Sequence, residues 1–343
     1  MQAMDYRCPS CSAPLMFNPE KGFWKCDYCS GEFTLEELEK TEKKFGNLEQ
    51  EPTMDVDEYS CSSCGAKIIA DETTTATFCV YCGNTSIIKN RLTGVLKPKY
   101  VIPFKNTKED AVKAFLKFKK GKPFAPKEFG QKEQIEKLTG VYIPFWLYDA
   151  EASGEVDGVG TKVKTWRSGD YRYTKTDTYR VRRGGNAKFV RVPVDGATKF
   201  DDNTMDSIEP FDYDGIKEFA PGYLSGFLAE KYDVDSEEAY KRAELRIENA
   251  LEDYFKRDIR GYSSVLINSK NIDEKILNSE YVLFPVWMLN IKYKDKMHMF
   301  AMNGQTGKMV GNVPISPAKL IAWLFGLFSG ITLILFLILY FVL

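Results

Sequence analysis

The longest hydrophobic run in the chain is its last one. Residues 320–343 carry no charged side chain, and a helix of that length spans about 36 Å at about 1.5 Å per residue. The hydrocarbon core of a bilayer is about 30 Å thick, and core helices rarely lack a polar face over such a length. Trp323 and Tyr340 lie near the two ends, where interfacial aromatic residues are enriched. We therefore predict one transmembrane helix over residues 319–343 rather than a buried core helix.

The charges beside this segment predict its orientation. Lys308 and Lys319 lie on its N-terminal side, and no charged residue follows Lys319. The positive-inside rule then places residues 1–319 in the cytoplasm. Residues 1–11 are polar and do not resemble a signal peptide. We expect a tail-anchored, single-pass protein of the cell membrane, held in the lipid bilayer with its N-terminal bulk in the cytoplasm.

Residues 96–313 have the mixed periodicity of an α+β domain. Thr107 caps a helix that ends at Gly121. Asp235 caps a longer helix that runs to about Arg257. The apolar residues of this longer helix recur at helical spacing, and they are Ala239, Ala243, Ile247, Ala250, Leu251 and Tyr254.

Strand patterns fill the rest of this domain. Alternation between residues 153 and 194 predicts an antiparallel meander with a hairpin turn at residues 181–186. Other strands are predicted at residues 100–104, 141–150, 281–293, 297–302 and 308–313.

Two strand segments resemble each other. Ile-Pro-Phe-Trp-Leu at residues 143–147 is matched by Phe-Pro-Val-Trp-Met at residues 284–288. The strand and helix that begin at Tyr100 are matched with Tyr223 and the helix after it. We interpret the domain as two related halves, about 98–194 and 219–313, each a strand, a helix and a meander.

All eight cysteines precede residue 83, and they form two sets of four. The first set is Cys8, Cys11, Cys26 and Cys29, and the second is Cys61, Cys64, Cys79 and Cys82. Each set reads Cys-x2-Cys, fourteen residues, Cys-x2-Cys, and the two sets are offset by 53 residues at every position. Tyr28 and Tyr81 align as well, so the pattern is an internal duplication.

This spacing is typical of a zinc ribbon. Each Cys-x2-Cys turn brings two thiolates to one metal, and a hairpin between the turns completes a tetrahedral four-cysteine site. Four thiolates leave no position for a catalytic water, so we predict two structural Zn2+ ions. Disulfides would fit a secreted protein, and dithiol redox chemistry would not explain four motifs at paired spacing. The ribbons are placed at residues 1–33 and 60–90, joined by a helical and acidic linker at residues 34–59.

Composition and charge narrow the functional classes. The 47 lysines and arginines nearly cancel the 48 aspartates and glutamates, which argues against a surface built throughout for nucleic acid. The single histidine, His298, excludes sites that need two, and we expect it to be structural or on the surface. Gly304–Lys308 lacks the Walker A spacing and is predicted to be a tight turn. No catalytic constellation emerges, so we do not expect an enzyme.

Three clusters leave alternatives open. Phe23 and Trp24 are expected to form the small core of the first ribbon, although aromatic residues near lysines also occur in nucleic-acid-binding ribbons. An acidic segment fits a solvated loop better than a calcium site, and its residues are Asp201, Asp202, Asp206, Asp212 and Asp214. A basic cluster fits a solvated strand face, anionic lipid headgroups or nucleic acid, and its residues are Arg180, Arg182, Arg183, Lys188 and Arg191.

The paired cysteine motifs, the two Pro-x-Trp strands, the turn at residues 303–308 and the terminal hydrophobic segment together resemble a bacterial family typified by YdjG of Gram-positive bacteria. Proteins with these cysteines are often labelled PriA-like helicases or TFIIB-type zinc ribbons, but this chain has no Walker A motif. The resemblance implies a role in membrane stress. It also implies two partners: a PspA-type coat protein and a membrane-scaffold or virion-core-like zinc-ribbon protein. We expect a non-enzymatic adaptor, with a membrane-tethered nucleic-acid-binding protein as the alternative.

Overall fold

The computed structural model describes residues 8–9, 13, 15–19, 21–38, 53–70, 78–85, 87–294 and 296–342. Residues 35–38 form one helical turn. The helices that follow are α1 Lys108–Lys120, α2 Lys132–Ile135, α3 Asp202–Ile208, α4 Ser236–Asp258 and α5 Pro317–Val342. Short 3-10 turns lie at Tyr213–Gly215 and Pro221–Leu224.

The strands form two sheets. A three-stranded sheet holds β1 Leu15–Asn18, β2 Phe23–Cys26 and β3 Glu32–Phe33. An eleven-stranded sheet holds β4 Thr53–Cys61, β5 Lys67–Ala70, β6 Ile87–Leu96, β7 Tyr100–Val101, β8 Thr139–Ser168, β9 Tyr171–Asp195, β10 Lys217–Glu218, β11 Leu228–Glu230, β12 Ser264–Tyr293, β13 Lys296–Asn303 and β14 Met309–Gly311. Its strand order is β10-β7-β12-β8-β11-β5-β4-β6, with β9 beside β8, β13 beside β12 and β14 beside β13.

Three very long strands replace the predicted meander. Strands β8 and β12 have 30 residues each and β9 has 25, and β8 pairs antiparallel with both of the others. The predicted hairpin turn at residues 181–186 is wrong. Gly184 lies inside β9, where the backbone of β8 comes so close that a Cβ would sit 3.1 Å from the Gly154 carbonyl oxygen. The turn lies at Gly169, whose φ of +63° suits glycine.

Both predicted helix starts are confirmed. Thr107 and Asp110 complete the capping box of α1, and the Asp235 side chain accepts a hydrogen bond from the Glu238 backbone N–H at the start of α4. The buried stripe of α4 repeats every four residues and consists of Ala239, Ala243, Ile247, Leu251 and Phe255. Ala250 and Tyr254, which we also assigned to this face, are exposed because the stripe has moved on to Phe255.

The two Pro-x-Trp segments lie side by side in the centre of the sheet. Ile143 pairs with Phe284 across the β8–β12 ladder, and the rings of Phe145 and Phe284 stack at 4.2 Å. The two indoles make equivalent hydrogen bonds. Trp146 Nε1 donates to the carbonyl of Val234 (2.9 Å), and Trp287 Nε1 donates to the carbonyl of Asn106 (3.1 Å). Each carbonyl belongs to the residue just before a helix N-cap.

Further contacts extend this pseudo-symmetry. The backbone N–H of Gly196 donates to the Pro144 carbonyl and that of Gly304 to the Pro285 carbonyl, both at 2.8 Å. Strand β7 pairs parallel with β12, and β11 pairs parallel with β8 in the same register. Leu228 therefore takes the place in the second half that Tyr100 takes in the first. The match with Tyr223 is wrong, because Tyr223 lies in a 3-10 turn.

The acidic segment is ordered rather than a solvated loop. Asp201 caps α3 by accepting a hydrogen bond from the Thr204 backbone N–H. Asp206 pairs with Arg246, and Asp212 caps the first 3-10 turn. Asp202 pairs with Arg242 at 3.0 Å, so four of the five carboxylates have structural partners.

The predicted linker between the ribbons is also corrected. A capping box begins the helical residues 35–38, since the Thr34 backbone N–H donates to the Glu37 carboxylate at 2.8 Å and the Glu37 backbone N–H donates to the Thr34 hydroxyl. Of the acidic residues that we placed in the linker, Asp55, Asp57 and Glu58 belong to strand β4, which pairs with β5 and β6. The predicted helix beyond residue 38 lies outside the described residues.

Helix α5 is long and apolar enough to cross a membrane. Its segment Pro317–Ile338 has a mean hydropathy of 2.4, and none of it is buried within the protein. The helix meets the folded body at its first turns. The Lys319 ammonium donates to the Ala125 carbonyl, and Trp323 contacts Phe124 with ring centroids 5.8 Å apart.

Candidate metal centres

The second cysteine set converges on one point. The four sulfur atoms of Cys61, Cys64, Cys79 and Cys82 lie within 4.8 Å of one another. The Cys61–Cys82 and Cys64–Cys79 sulfur pairs are each 3.6 Å apart. A disulfide requires about 2.05 Å, whereas thiolates at about 2.3 Å from a tetrahedral metal lie about 3.8 Å apart. The sulfur spacing therefore fits a shared metal ion.

The backbone forms the same turn at each half of this set. The N–H of Cys61 donates to the Ala66 carbonyl (2.9 Å), and the N–H of Cys79 donates to the Asn84 carbonyl (2.8 Å). Gly65 and Gly83, the residues after the second cysteine of each turn, have φ values of +69° and +71°. A left-handed residue at this point lets the chain reverse while both thiols stay on one side.

Hydrogen bonds from backbone N–H groups favour the ionised form of one of these thiols. Burial opposes the charged form of Cys61, but hydrogen bonds from the Cys64 and Ser63 backbones outweigh burial and lower its pKa to about 7. Burial raises the pKa of the Cys79 thiol. Hydrogen bonds from the Cys82 and Tyr81 backbones lower the Cys79 pKa but do not outweigh its burial. Because metal binding requires thiolates, a bound cation would favour the ionised form of this thiol.

The first cysteine set has the same construction. The sulfurs of Cys8, Cys26 and Cys29 lie within 4.8 Å of one another, and Cys11 lies outside the described residues. The N–H of Cys8 donates to the Ala13 carbonyl and that of Cys26 to the Gly31 carbonyl, both at 2.8 Å. In all four turns, the first cysteine thus bonds the carbonyl five residues onward.

The second ribbon is part of the main sheet. Strand β5 pairs antiparallel with β11. The Tyr81 hydroxyl donates to the Glu230 carboxylate at 2.5 Å, and the Asn290 side chain donates to the Val80 carbonyl. Burial raises the pKa of Glu230 to about 8, against the lowering effect of the Tyr81 hydrogen bond. The domain boundary that we expected after residue 90 therefore does not separate two structural units.

The first ribbon is attached through one aromatic cluster. Trp24 is 1% exposed and donates its Nε1 proton to the Gly222 carbonyl at 2.9 Å. Its ring lies 5.0 Å from that of Phe17 and 5.1 Å from that of Tyr223. We expected Trp24 in the core of the ribbon alone, but it joins the ribbon to the α+β domain. Tyr28, the counterpart of Tyr81, is 83% exposed.

The basic cluster is largely neutralised by neighbouring carboxylates. Arg180 pairs with Asp157, Arg182 with Glu155, and Arg183 with Asp258 at 3.1 Å. The Arg191 guanidinium lies over the Tyr213 ring. Lys188 is exposed. These contacts favour the solvated strand face among the three interpretations of this cluster.

The remaining polar candidates are structural. The predicted turn at residues 304–308 lies between β13 and β14, and the Asn303 side chain accepts hydrogen bonds from Gln305 and Thr306. His298 Nδ1 lies 3.0 Å from the Asn312 carbonyl oxygen, and its ring contacts Phe129.

Comparison with known proteins identifies one relative of nearly the same length. The uncharacterized protein YdjG of Bacillus subtilis (strain 168) is 39% identical over 329 residues, which cover 95% of each chain. No family model matches the chain, and no solved structure matches it. Identity at this level over almost the whole length shows common ancestry, and the chain belongs to the YdjG family.

Proposed function

We propose that this protein is a non-enzymatic membrane adaptor. Two structural Zn2+ ions would hold its ribbons in shape, bound by Cys8, Cys11, Cys26 and Cys29 and by Cys61, Cys64, Cys79 and Cys82. Four thiolates are the donor set that suits Zn2+. They fill the coordination sphere, so the metal would stabilise a surface instead of activating water.

The observation that carries the adaptor role is the contrast between Tyr81 and Tyr28. The two tyrosines occupy the same position in equivalent turns, yet Tyr81 is buried against Glu230 and Tyr28 is 83% exposed. Met16, on the same ribbon, is 48% exposed. Tyrosine and methionine are enriched at protein interfaces, so the first ribbon offers a surface for a protein partner.

Helix α5 would hold this surface at the membrane. Lys319 at its N-terminal end supports a cytoplasmic location for the folded body under the positive-inside rule. The proposed partners are the PspA-type coat protein and the membrane-scaffold or virion-core-like zinc-ribbon protein, in a response to membrane stress. Intact cells treated with an external protease test the orientation: the folded body should survive, and its digestion would contradict the proposal.

Point variants test the recruitment. The ribbons cannot simply be deleted, because β5 is an internal strand of the main sheet. Full-length protein purified from native membranes should carry the PspA-type protein, and Tyr28→Ala should lose it. Tyr254→Ala is a matched control, since Tyr254 is an exposed tyrosine on α4. Equal amounts of the PspA-type protein with both variants would contradict a role for the first ribbon.

The alternative function, a membrane-tethered protein that binds nucleic acid through its first ribbon and the Arg180–Arg191 cluster, loses two of its supporting features. Trp24 is buried and cannot stack on a base, and Arg180, Arg182 and Arg183 face carboxylates.

A further inference from the structure

The long strands extend far beyond the core. The buried cluster between α4 and the sheet ends near Val156 and Val181. Pairing between β12 and β8 ends at Ser264 and Thr161. Residues 162–177 then continue as a two-stranded hairpin, which we call the tip hairpin. Its residues are exposed except Asp177, which is half-buried.

One face of the tip hairpin carries an aromatic row followed by two rows that contain lysines, in the second of which Lys162 faces Asp177. Trp166 lies opposite Tyr173, and Lys164 lies opposite Lys175. The Trp166 and Tyr173 rings stack with centroids 5.6 Å apart. Nearer the body, the Lys162 ammonium lies 5.2 Å from the centre of the Tyr179 ring. Rows on one face are two residues, or about 6.7 Å, apart, a spacing comparable to that of successive nucleotides in an extended strand.

The charges of the tip hairpin are poorly balanced within the protein. It carries five basic and two acidic side chains, a net charge of +3, whereas the whole chain has a net charge of −1. Lys164 faces Lys175 and, on the other face, Arg167 faces Arg172. Like charges directly opposite each other destabilise a ladder, and Asp177 offsets part of this repulsion by pairing with Lys175 at 3.1 Å. An anionic ligand would offset the remainder.

The position of the tip hairpin argues against lipid headgroups around the anchor. The β8–β12 ladder runs from the Thr161–Ser264 pair to the Thr139–Met288 pair, which is about 73 Å along β8 at about 3.3 Å per residue. Helix α5 meets the body through Phe124, and Phe129, five residues onward, packs against Tyr293 beyond the far end of this ladder. The length of the ladder therefore separates the tip hairpin from the anchor, which favours a ligand other than the headgroups around the anchor.

We propose that the tip hairpin binds single-stranded nucleic acid. Stacked aromatic side chains take up bases, and lysines between them contact phosphates, a combination that is tolerant of sequence. A duplex hides the faces of its bases, so it offers the aromatic rows nothing to stack on. The site uses no residue of either ribbon or of the Arg180–Arg191 cluster.

The test uses full-length protein in detergent micelles and fluorescein-labelled dT15, measured by anisotropy at several salt concentrations. The logarithm of the binding constant should fall with the logarithm of salt with a slope of about −2, as expected for about three phosphate contacts. Trp166 fluorescence should be quenched, and a 15-base-pair duplex should bind more weakly.

Two variants separate the contributions. Lys164→Glu/Lys175→Glu should weaken binding at least tenfold and flatten the salt slope. Trp166→Ala/Tyr173→Ala should weaken binding about tenfold with the slope unchanged, because stacking involves no counterion release. Lys132→Glu/Lys137→Glu is the matched control, with the same charge change at exposed positions at and just after α2, and it should bind like the wild type. Unchanged melting temperatures establish that the variants are folded.

Three outcomes would overturn the proposal. The first is the absence of dT15 binding at 50 mM salt, roughly the low-salt limit at which phosphate contacts are strongest. The second is equal binding by the tip variants and the control variant. The third is displacement of dT15 by poly-L-glutamate, or by phosphatidylglycerol in the micelles, at the same charge concentration, since the tip would then recognise charge alone.

Discussion

The two ribbons share a turn geometry and differ in how they are attached. All four of their cysteine turns close with a hydrogen bond from the first cysteine to the carbonyl five residues onward. The second ribbon adds a strand to the main sheet and buries Tyr81, whereas the first is attached through Trp24 and leaves Tyr28 exposed. The two copies thus share the cysteine-turn geometry, and they differ in that only the second adds a strand to the main sheet and buries its tyrosine.

The largest expected effect is a difference in thermal stability between variants of the two candidate metal sites. Cys79→Ser should lower the main thermal transition by about 10 °C or more, because a structural zinc contributes on the order of 10 kcal/mol to ribbon folding. The main sheet should be destabilised as well, because β5 belongs to both the second ribbon and the sheet. Cys26→Ser should shift the same transition by less than about 5 °C, since the strands of the first ribbon form a sheet of their own and add none to the main sheet. Both cysteines are fully buried. Circular dichroism of the full chain in detergent measures this, and equal shifts would contradict the difference in attachment.

The next effect concerns the attachment of the first ribbon. Trp24→Ala removes a buried indole and should lower the free energy of unfolding by about 3–5 kcal/mol. The effect should be measurable as faster proteolysis of the first ribbon. Phe23→Ala, at the neighbouring half-buried position, should cost much less. Metal content should stay at the wild-type value in both variants. A Trp24→Ala protein with unchanged protease resistance would show that the ribbon is held by something else.

A smaller effect distinguishes the equivalent tyrosines. Tyr81→Phe leaves the buried Glu230 carboxyl without its donor and should cost about 1–3 kcal/mol. Tyr28→Phe should change stability by less than about 0.5 kcal/mol, because the hydroxyl is exposed. Chemical denaturation of both variants measures the difference. Equal free energies of unfolding would mean that the Tyr81–Glu230 contact adds nothing.

The smallest effect lies in the turns themselves. Ser30 of the first ribbon has a φ of +57° at the position where the second ribbon has Gly83. Gly83→Ser should cost about 1 kcal/mol because a side chain is disfavoured in the left-handed region. Ser30→Gly should be neutral or stabilising by up to about 0.5 kcal/mol, since relief of strain is offset by entropy gained in the unfolded chain. Destabilisation by Ser30→Gly would show that the serine side chain has a role of its own.

Features that depend on neighbours in sequence could be predicted. The cysteine spacing, the caps at Thr107 and Asp235, and the turn after Asn303 all follow from residues a few positions apart. The uncharged terminal segment is equally local, and α5 occupies it. The similarity of the two Pro-x-Trp segments was visible in the sequence, and the structure places both in the same ladder.

Features that depend on distant partners could not. Trp24 finds its acceptor at Gly222, 198 residues away, and Asp195 is buried because Arg242 pairs with it. Strands β7 and β11 are only two and three residues long, too short to show periodicity. Gly184 resembled a turn residue because sequence alone does not show that the backbone of β8 comes close to it.

The most direct test of the central claim is the metal content of the purified full-length protein. Elemental analysis should find two zinc ions per chain, with one lost in Cys26→Ser and one lost in Cys79→Ser. Wild-type protein with no zinc, with iron in its place, or with a single ion that both variants lose would contradict two equivalent four-thiolate sites.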